Sequence, residues 1–140
     1  MIAVDTNILA RYYVDDPGDP EAAQQRPVAE RLMRESAAIY VPVTVVLELV
    51  WLLRAFYDFG VNDCAGVVEH LAGLPNVTVE DWPQVLEAAR LHRAGLDFAD
   101  ALHLSRCGRC KTLMTFDDRK FARRARMLVD APRVGVPSAK

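Results

Sequence analysis

The chain has 140 residues, of which 51% are hydrophobic and 26% charged, and its formal net charge is −2. This length predicts one compact domain over residues 1–140, able to bury roughly two thirds of its unfolded surface, and the composition excludes disordered and fibrous proteins. The longest mostly apolar stretch, residues 41–53, contains Glu48 and is shorter than the roughly 20 residues of a membrane span. The start of the chain lacks the basic flank and long apolar run of a signal peptide, so we expect a cytoplasmic protein.

Short β-branched runs alternate with longer amphipathic stretches along the chain. The predicted strands are 2–4, 39–41, 77–79, 112–115 and 133–136. The predicted helices are 7–14, 21–36, 44–57, 62–73, 82–94, 98–107 and 118–128. This alternation predicts an α/β fold with a mainly parallel sheet that helices cover on both faces.

Several helices carry boundary signals. Asp97 is placed to cap the helix that begins beside it, and Pro27 predicts a kink or two shorter helices within 21–36. In the last helix Phe121, Ala125 and Leu128 form one apolar stripe, which we expect to pack inward. The rest of that helix is basic, and the predicted exposed cations are Arg119, Lys120, Arg123, Arg124 and Arg126.

The small net charge conceals an asymmetry between the two ends of the chain. Residues 1–100 hold 7 Arg and Lys against 16 Asp and Glu, a balance of −9, whereas residues 101–140 hold 10 against 3, a balance of +7. Uneven solvated faces and the preference of helix C-termini for cations would explain part of this. An anionic partner such as a nucleic acid, bound by the basic segment, is the sharper interpretation.

The three cysteines indicate reduced thiols, because their number is odd and no export signal is present. Cys107 and Cys110 form a single C-x-x-C pair, which only Cys64 or His103 could complete as a zinc site. A redox dithiol normally opens a helix after a strand, whereas this pair follows a helical pattern. We therefore favour neither metal binding nor redox chemistry for it.

Acidic residues directly follow two of the predicted strands. Asp5 comes after Ile2-Ala3-Val4, and Asp117 follows the strand that begins at Thr112. Ligands of open parallel sheets bind outside the carboxyl ends of the strands, so these two carboxylates are expected to share one edge. Either aspartate alone could be an ordinary helix cap or turn residue, but the pair favours a site.

Glu48 lies in an unusually apolar helix. Its helical neighbours are Thr44, Trp51, Leu52 and Ala55, so no polar stripe predicts its exposure to solvent. A carboxylate held in such surroundings requires a cation or a partner. The alternatives are a partly buried ion pair, with Arg11 or Arg54 as the base, a local exposure that the pattern does not reveal, and a position one helical turn from the same sheet edge.

Asp100 is the fourth acid of interest. With Asp97 as the cap, Asp100 falls in the first turn of its helix, where the helix dipole favours negative charge. Four carboxylates at one edge, Asp5, Glu48, Asp100 and Asp117, would repel one another unless a cation neutralised them. Oxygen ligands alone favour Mg²⁺ or Mn²⁺ over zinc. Such a site bridges phosphate oxygens and activates water.

These motifs resemble those of the PIN-domain ribonucleases. The likeness rests on Asp5-Thr6-Asn7, on Glu48, on Phe98-Ala99-Asp100-Ala101-Leu102-His103 and on Thr115-Phe116-Asp117, and it extends from residue 2 to about 136. In length and layout the chain is similar to VapC-type toxins of toxin-antitoxin pairs. The resemblance implies a three-layer α/β/α fold with a central, mainly parallel sheet of about five strands. It also implies an Mg²⁺- or Mn²⁺-dependent endoribonuclease that forms a homodimer and binds a small antitoxin protein.

Carried over by position, the resemblance implies a role for each motif residue. Asp5, Asp100 and Asp117 would be metal ligands, and Glu48 a ligand or the group that orients the attacking water. Supporting roles fall to Asn7, which is also a simple helix cap candidate, to Thr115 and to Asp97. Asp97 and Asp118 stand beside matching acids and are alternatives for the third and fourth positions. The residues expected to meet RNA phosphates are Arg119, Lys120 and Arg123.

Three other functions compete with this one. An Asp-x-Asp phosphohydrolase would require an aspartate where the chain has Asn7, and a receiver domain would require an adjacent acidic pair after the first strand. The third is a non-catalytic α/β module that binds nucleic acid, in which the acids are ordinary caps. That module would bind RNA without turnover and without dependence on Mg²⁺.

Overall fold

The computed structural model describes residues 1–138. Its helices are α1 (Thr6–Tyr13), α2 (Pro20–Glu35), α3 (Val43–Ala55), α4 (Val61–Gly73), α5 (Trp82–Arg93), α6 (Phe98–Ser105) and α7 (Arg123–Leu128). Its strands are β1 (Ile2–Ala3), β2 (Ile39–Val41), β3 (Val77–Val79), β4 (Thr112–Met114) and β5 (Arg133–Gly135). The predicted α/β class and the parallel pairing of the strands are confirmed.

Two helices differ from their predicted form. α2 is a single helix with Pro27 inside it, so the prediction of two shorter helices was wrong. Pro27 removes the N–H partner of the Ala23 carbonyl, but both residues are exposed, where water can donate to that carbonyl. The last helix begins with a π-helical segment, Asp118–Ala122, in which the Ala122 N–H donates to the Asp117 carbonyl.

The chain divides into two compact units, Met1–Trp82 and Pro83–Lys140. In the first unit β1, β2 and β3 form a parallel sheet in that order, with Ile2 opposite Ile39 and Val41 opposite Val79. α1 packs on α2 and α3, α3 packs on α4, and α4 packs on β3 of this sheet. Its largest fully buried side chains include Leu9, Met33, Ile39, Leu49, Leu53, Leu71, Val41, Val46 and Val68.

In the second unit β4 and β5 form a parallel pair, with Leu113 opposite Val134. The π-helical segment and α7 pack against β5. Phe121, Ala122 and Ala125 are buried, which confirms most of the predicted inward stripe, and Leu128 at its end is half-buried. The five predicted strands are therefore all present, hydrogen-bonded as a group of three and a group of two, one in each unit.

Over residues 1–138, none of the helices combines the length and the apolar character needed to cross a lipid bilayer. Cys64 is buried, Cys107 half-buried and Cys110 exposed, and all three are free thiols.

Candidate active site

The strand-end position of the two predicted aspartates is confirmed. Asp5 follows β1, and Val4, between them, donates its N–H to the Tyr40 carbonyl of β2. Asp117 follows β4, and Thr115, just beyond that strand, donates its N–H to the Gly135 carbonyl of β5. Both aspartates are exposed, and each caps the helical segment that comes next. Strand pairing thus fixes the backbone immediately before each carboxylate.

Thr6 hydrogen-bonds to both candidate acids of the first unit, Asp5 and Glu48. Its N–H donates to Asp5 Oδ1 at 2.7 Å, and its hydroxyl donates to Glu48 Oε1. Thr6 is only 5% exposed, so its side chain has little freedom to choose other partners. The sequence analysis named Asn7 as the supporting residue and missed Thr6, although Thr6 stands in the same Asp-Thr-Asn motif. Asn7 is exposed, and its role stays a prediction.

Glu48 is exposed, contrary to the expectation drawn from its apolar neighbours. The reason lies on α3 itself, because Thr44, Trp51 and Ala55 are exposed as well and form one solvent-facing stripe with Glu48. Trp51, the largest side chain of this stripe, is 59% exposed. The alternative of an ion pair with Arg11 or Arg54 is not observed, since Arg11 bonds to Gln25 and Tyr57, and Arg54 to the Phe59 carbonyl. Glu48 is therefore an accessible carboxylate whose orientation Thr6 helps to fix.

Glu80 fixes the start of the helix that carries Glu48. Pro42 precedes α3 and offers no side-chain cap, but Glu80 Oε1 accepts the Val43 N–H at 2.8 Å. Burial and the nearby Glu80 carboxylate raise the pKa of Tyr40. Glu80 follows β3 as Asp5 follows β1, so the strand-end rule could have identified it. It stabilises α3 instead of remaining an open ligand.

In the second unit, Asp97 caps α6 as predicted. Its Oδ2 accepts the Asp100 N–H at 3.3 Å. Burial raises the pKa of the half-buried Asp100 carboxyl, the negative charge of Asp97 and then of Asp117 raises it further, and His103 opposes the shift. Asp97 and Asp117 therefore both disfavour the charged form of Asp100, an effect that a bound cation would relieve.

Asp117 lies on a tightly hydrogen-bonded turn. Its N–H donates to Thr115 Oγ1 at 3.0 Å, and its Oδ1 accepts the Lys120 N–H at 3.0 Å. The hydroxyl of Thr115 thus helps to fix the backbone of Asp117, and the supporting role expected of Thr115 stays a prediction. One oxygen of the Asp117 carboxylate remains outside these two bonds.

The cations expected to contact RNA lie on the surface of this unit. Arg119, Lys120 and Arg123 are all exposed, and they begin two residues after Asp117. His103 is exposed, one turn beyond Asp100 on α6. Residues from 83 to the end of the sequence hold 12 Arg and Lys against 6 Asp and Glu, a balance of +6.

The donor atoms fit a hard divalent cation, since every predicted ligand is a carboxylate. Asp5 and Glu48 share Thr6 as a bonding partner, whereas Asp100 and Asp117 interact electrostatically within the other unit. Within residues 1–138, no three His, Cys, Asp or Glu side chains come together in an arrangement that could hold a metal ion. Each unit therefore offers a partial set of ligands, and a common edge for all four acids stays a prediction.

Comparison with known families agrees with the motif analysis. The PIN domain family matches residues 2–127, which includes all four candidate acids and spans both units. Among curated proteins, none matches the chain. PIN domains are generally metal-dependent nucleases, so a nucleic acid substrate and hydrolase chemistry follow from membership. The chain belongs to the PIN domain family.

Proposed function

We propose that this protein is an Mg²⁺- or Mn²⁺-dependent endoribonuclease that hydrolyses RNA phosphodiester bonds, acting as one domain over residues 1–140. The observation that carries the proposal is the pair of hydrogen bonds by which buried Thr6 holds Asp5 and Glu48. A buried hydroxyl aimed at an exposed glutamate adds little to folding stability, because water competes for that carboxylate. It is well suited to fixing the geometry of a reacting group.

The four carboxylates have distinct roles in this proposal. Asp5, Asp100 and Asp117 would hold the metal, and Glu48 would bind it or orient the attacking water. The ion, when bound, lowers the pKa of a coordinated water and offsets negative charge on the phosphate. Asp97 and Thr115 keep Asp100 and Asp117 in place through their bonds to the backbone of the same segments.

Cleavage of a mixed RNA pool in Mg²⁺, Mn²⁺ or EDTA tests the proposal. We expect cleavage in both metals, none in EDTA, and a rate at least 100-fold lower for Asp5→Asn, in the range of lost transition-state electrostatics. Asp16→Asn is the matched control, because Asp16 is an aspartate of the same unit outside the site. Cleavage that persists in EDTA, or in Asp5→Asn, contradicts the metal mechanism. RNA binding without any turnover would identify the non-catalytic module instead.

The toxin role extends the proposal to partners, a small antitoxin protein and a second copy of this chain. Its support is the similarity of length and motif layout to VapC-type toxins. The rings of Trp51 and Phe56 lie 5.7 Å apart, and both residues are exposed, Phe56 by 68%. These two rings supply apolar surface for a homodimer. Induced expression should arrest growth for the wild type and not for Asp5→Asn. Sedimentation should give a dimer that Trp51→Ser weakens, and a monomeric wild type would refute dimerisation.

A further inference from the structure

Phe116 is the most exposed large apolar side chain of the described residues, at 86%. Single exposed apolar residues are common on protein surfaces, so exposure alone carries no conclusion. The position of Phe116 is more informative, because it directly precedes Asp117 on the turn that follows β4. An aromatic ring is thus presented to solvent beside a proposed metal ligand.

The backbone that carries this ring is fixed on both sides. Thr115 donates its N–H to Gly135 at 2.9 Å, and the Asp117 N–H donates to the Thr115 hydroxyl. The Phe116 carbonyl accepts the Asp118 N–H at 3.1 Å. These bonds fix the backbone beneath the ring, and the 86% exposed ring is open to a ligand. The turn is therefore preorganised for stacking.

The surface around the turn is cationic. Arg119 and Lys120 are exposed in the π-helical segment that starts two residues after Phe116, and Arg123 follows it. Arg126 donates to Asp118 at 3.4 Å and to the Val134 carbonyl at 3.1 Å, which ties the turn to β5. An aromatic face among phosphate-binding cations is the combination by which proteins bind single-stranded nucleic acid.

We propose that Phe116 stacks on an unpaired base of the RNA next to the cleaved bond and so positions the substrate. This inference rests on the proposed endoribonuclease function, and it adds a substrate-positioning residue to it. Arg119, Lys120 and Arg123 contact the phosphates on either side of that base. The ring recognises an unpaired base and accepts any of the four bases, since each has a flat face that can stack on it.

Binding measured in EDTA separates this inference from catalysis. Fluorescence anisotropy with a short labelled single-stranded RNA should show Kd about fivefold or more higher for Phe116→Ala, the lower end of the effect of losing one stacked base. Phe116→Leu should bind as weakly as Phe116→Ala, whereas Phe116→Trp should bind as tightly as the wild type. Met127→Ala is the matched control, because Met127 is 81% exposed in the same unit, and it should not change Kd.

Crosslinking and duplex binding complete the test. Irradiation of iodouridine-substituted single-stranded RNA should crosslink to Phe116, and the same sequence as a duplex should bind in a way that Phe116→Ala does not alter. Unchanged Kd for Phe116→Ala, while the wild type still cleaves RNA, overturns the stacking and leaves the nuclease proposal intact. Phe116-dependent binding without cleavage supports the stacking and refutes the nuclease. An effect of Phe116→Leu smaller than that of Phe116→Ala overturns stacking in favour of general apolar contact.

Discussion

Replacing Thr6 separates its role in the site from its role in folding. Thr6 is 5% exposed, and its hydroxyl bonds to Glu48 while its methyl group lies in the interior. Thr6→Val keeps the shape and removes the hydroxyl, whereas Thr6→Ser keeps the hydroxyl and removes the methyl. The two substitutions therefore delete one function each at a single position.

The magnitudes differ in a way that can be measured. Thr6→Val loses a hydrogen bond of about 1 kcal/mol. It gains burial of a methyl worth about 0.8 kcal/mol. The two nearly cancel, because water satisfies the exposed Glu48 carboxylate, so the free energy of unfolding should hardly change. Thr6→Ser should destabilise the protein by about 1 kcal/mol, since it leaves a small void. Activity should follow the opposite order, with a fall of roughly 10- to 100-fold for Thr6→Val alone.

Urea unfolding followed by circular dichroism gives the stabilities, and single-turnover RNA cleavage gives the activities. The account predicts a stable, slow Thr6→Val variant and a less stable, active Thr6→Ser variant. If Thr6→Val cleaves RNA at the wild-type rate, the bond to Glu48 has no part in catalysis. If Thr6→Val is also strongly destabilised, Glu48 is less accessible to water than the structure indicates.

Three further outcomes follow from single interactions. Glu80→Ala should lower the free energy of unfolding by about 1 kcal/mol through loss of the α3 cap. Glu80→Gln should lower it by less, because the glutamine oxygen still accepts the Val43 N–H. Equal stabilities of the two variants in urea unfolding would contradict the cap. Burial raises the pKa of the Cys64 thiol to about 11, so iodoacetamide at neutral pH should alkylate the other two cysteines first. Mass spectrometry of the labelled protein measures this order, and rapid labelling of Cys64 would contradict its burial. Asp97→Asn should lower the pKa of Asp100 in the metal-free protein, because it removes a neighbouring negative charge. NMR titration of the Asp100 carboxyl measures this change, and an unchanged pKa would contradict the repulsion.

Helices and strands could be predicted closely from the sequence, because their patterns are local. The predicted strand 39–41 and the cap at Asp97 agree with the structure, and most other boundaries differ by one or two residues. The exception with a clear cause is Pro27, whose missing hydrogen bond falls on an exposed face of α2 and so does not divide the helix. The π-helical segment after Asp117 has no periodicity signal of its own.

The site was predicted less completely, because its key contacts are distant in sequence. The Thr6 to Glu48 bond spans 42 positions, and the Glu80 bond to Val43 spans 37. Apolar neighbours predicted a buried Glu48, but exposure of Trp51 on the same helical stripe reversed that result. Strand-end acids could be recognised by type and place, whereas which of them is open and which caps a helix depends on tertiary structure.

The central proposal is that Asp5 and Asp117 serve a single metal-dependent reaction. The measurement that tests it most directly is a double-mutant cycle of Asp5→Asn and Asp117→Asn in single-turnover RNA cleavage with Mn²⁺, with Asp130→Asn as an exposed control in the second unit. Groups that act as one unit in catalysis have non-additive effects, so the double variant should be no slower than the slower single variant. Rate losses that multiply, or a wild-type rate in either single variant, would contradict the account.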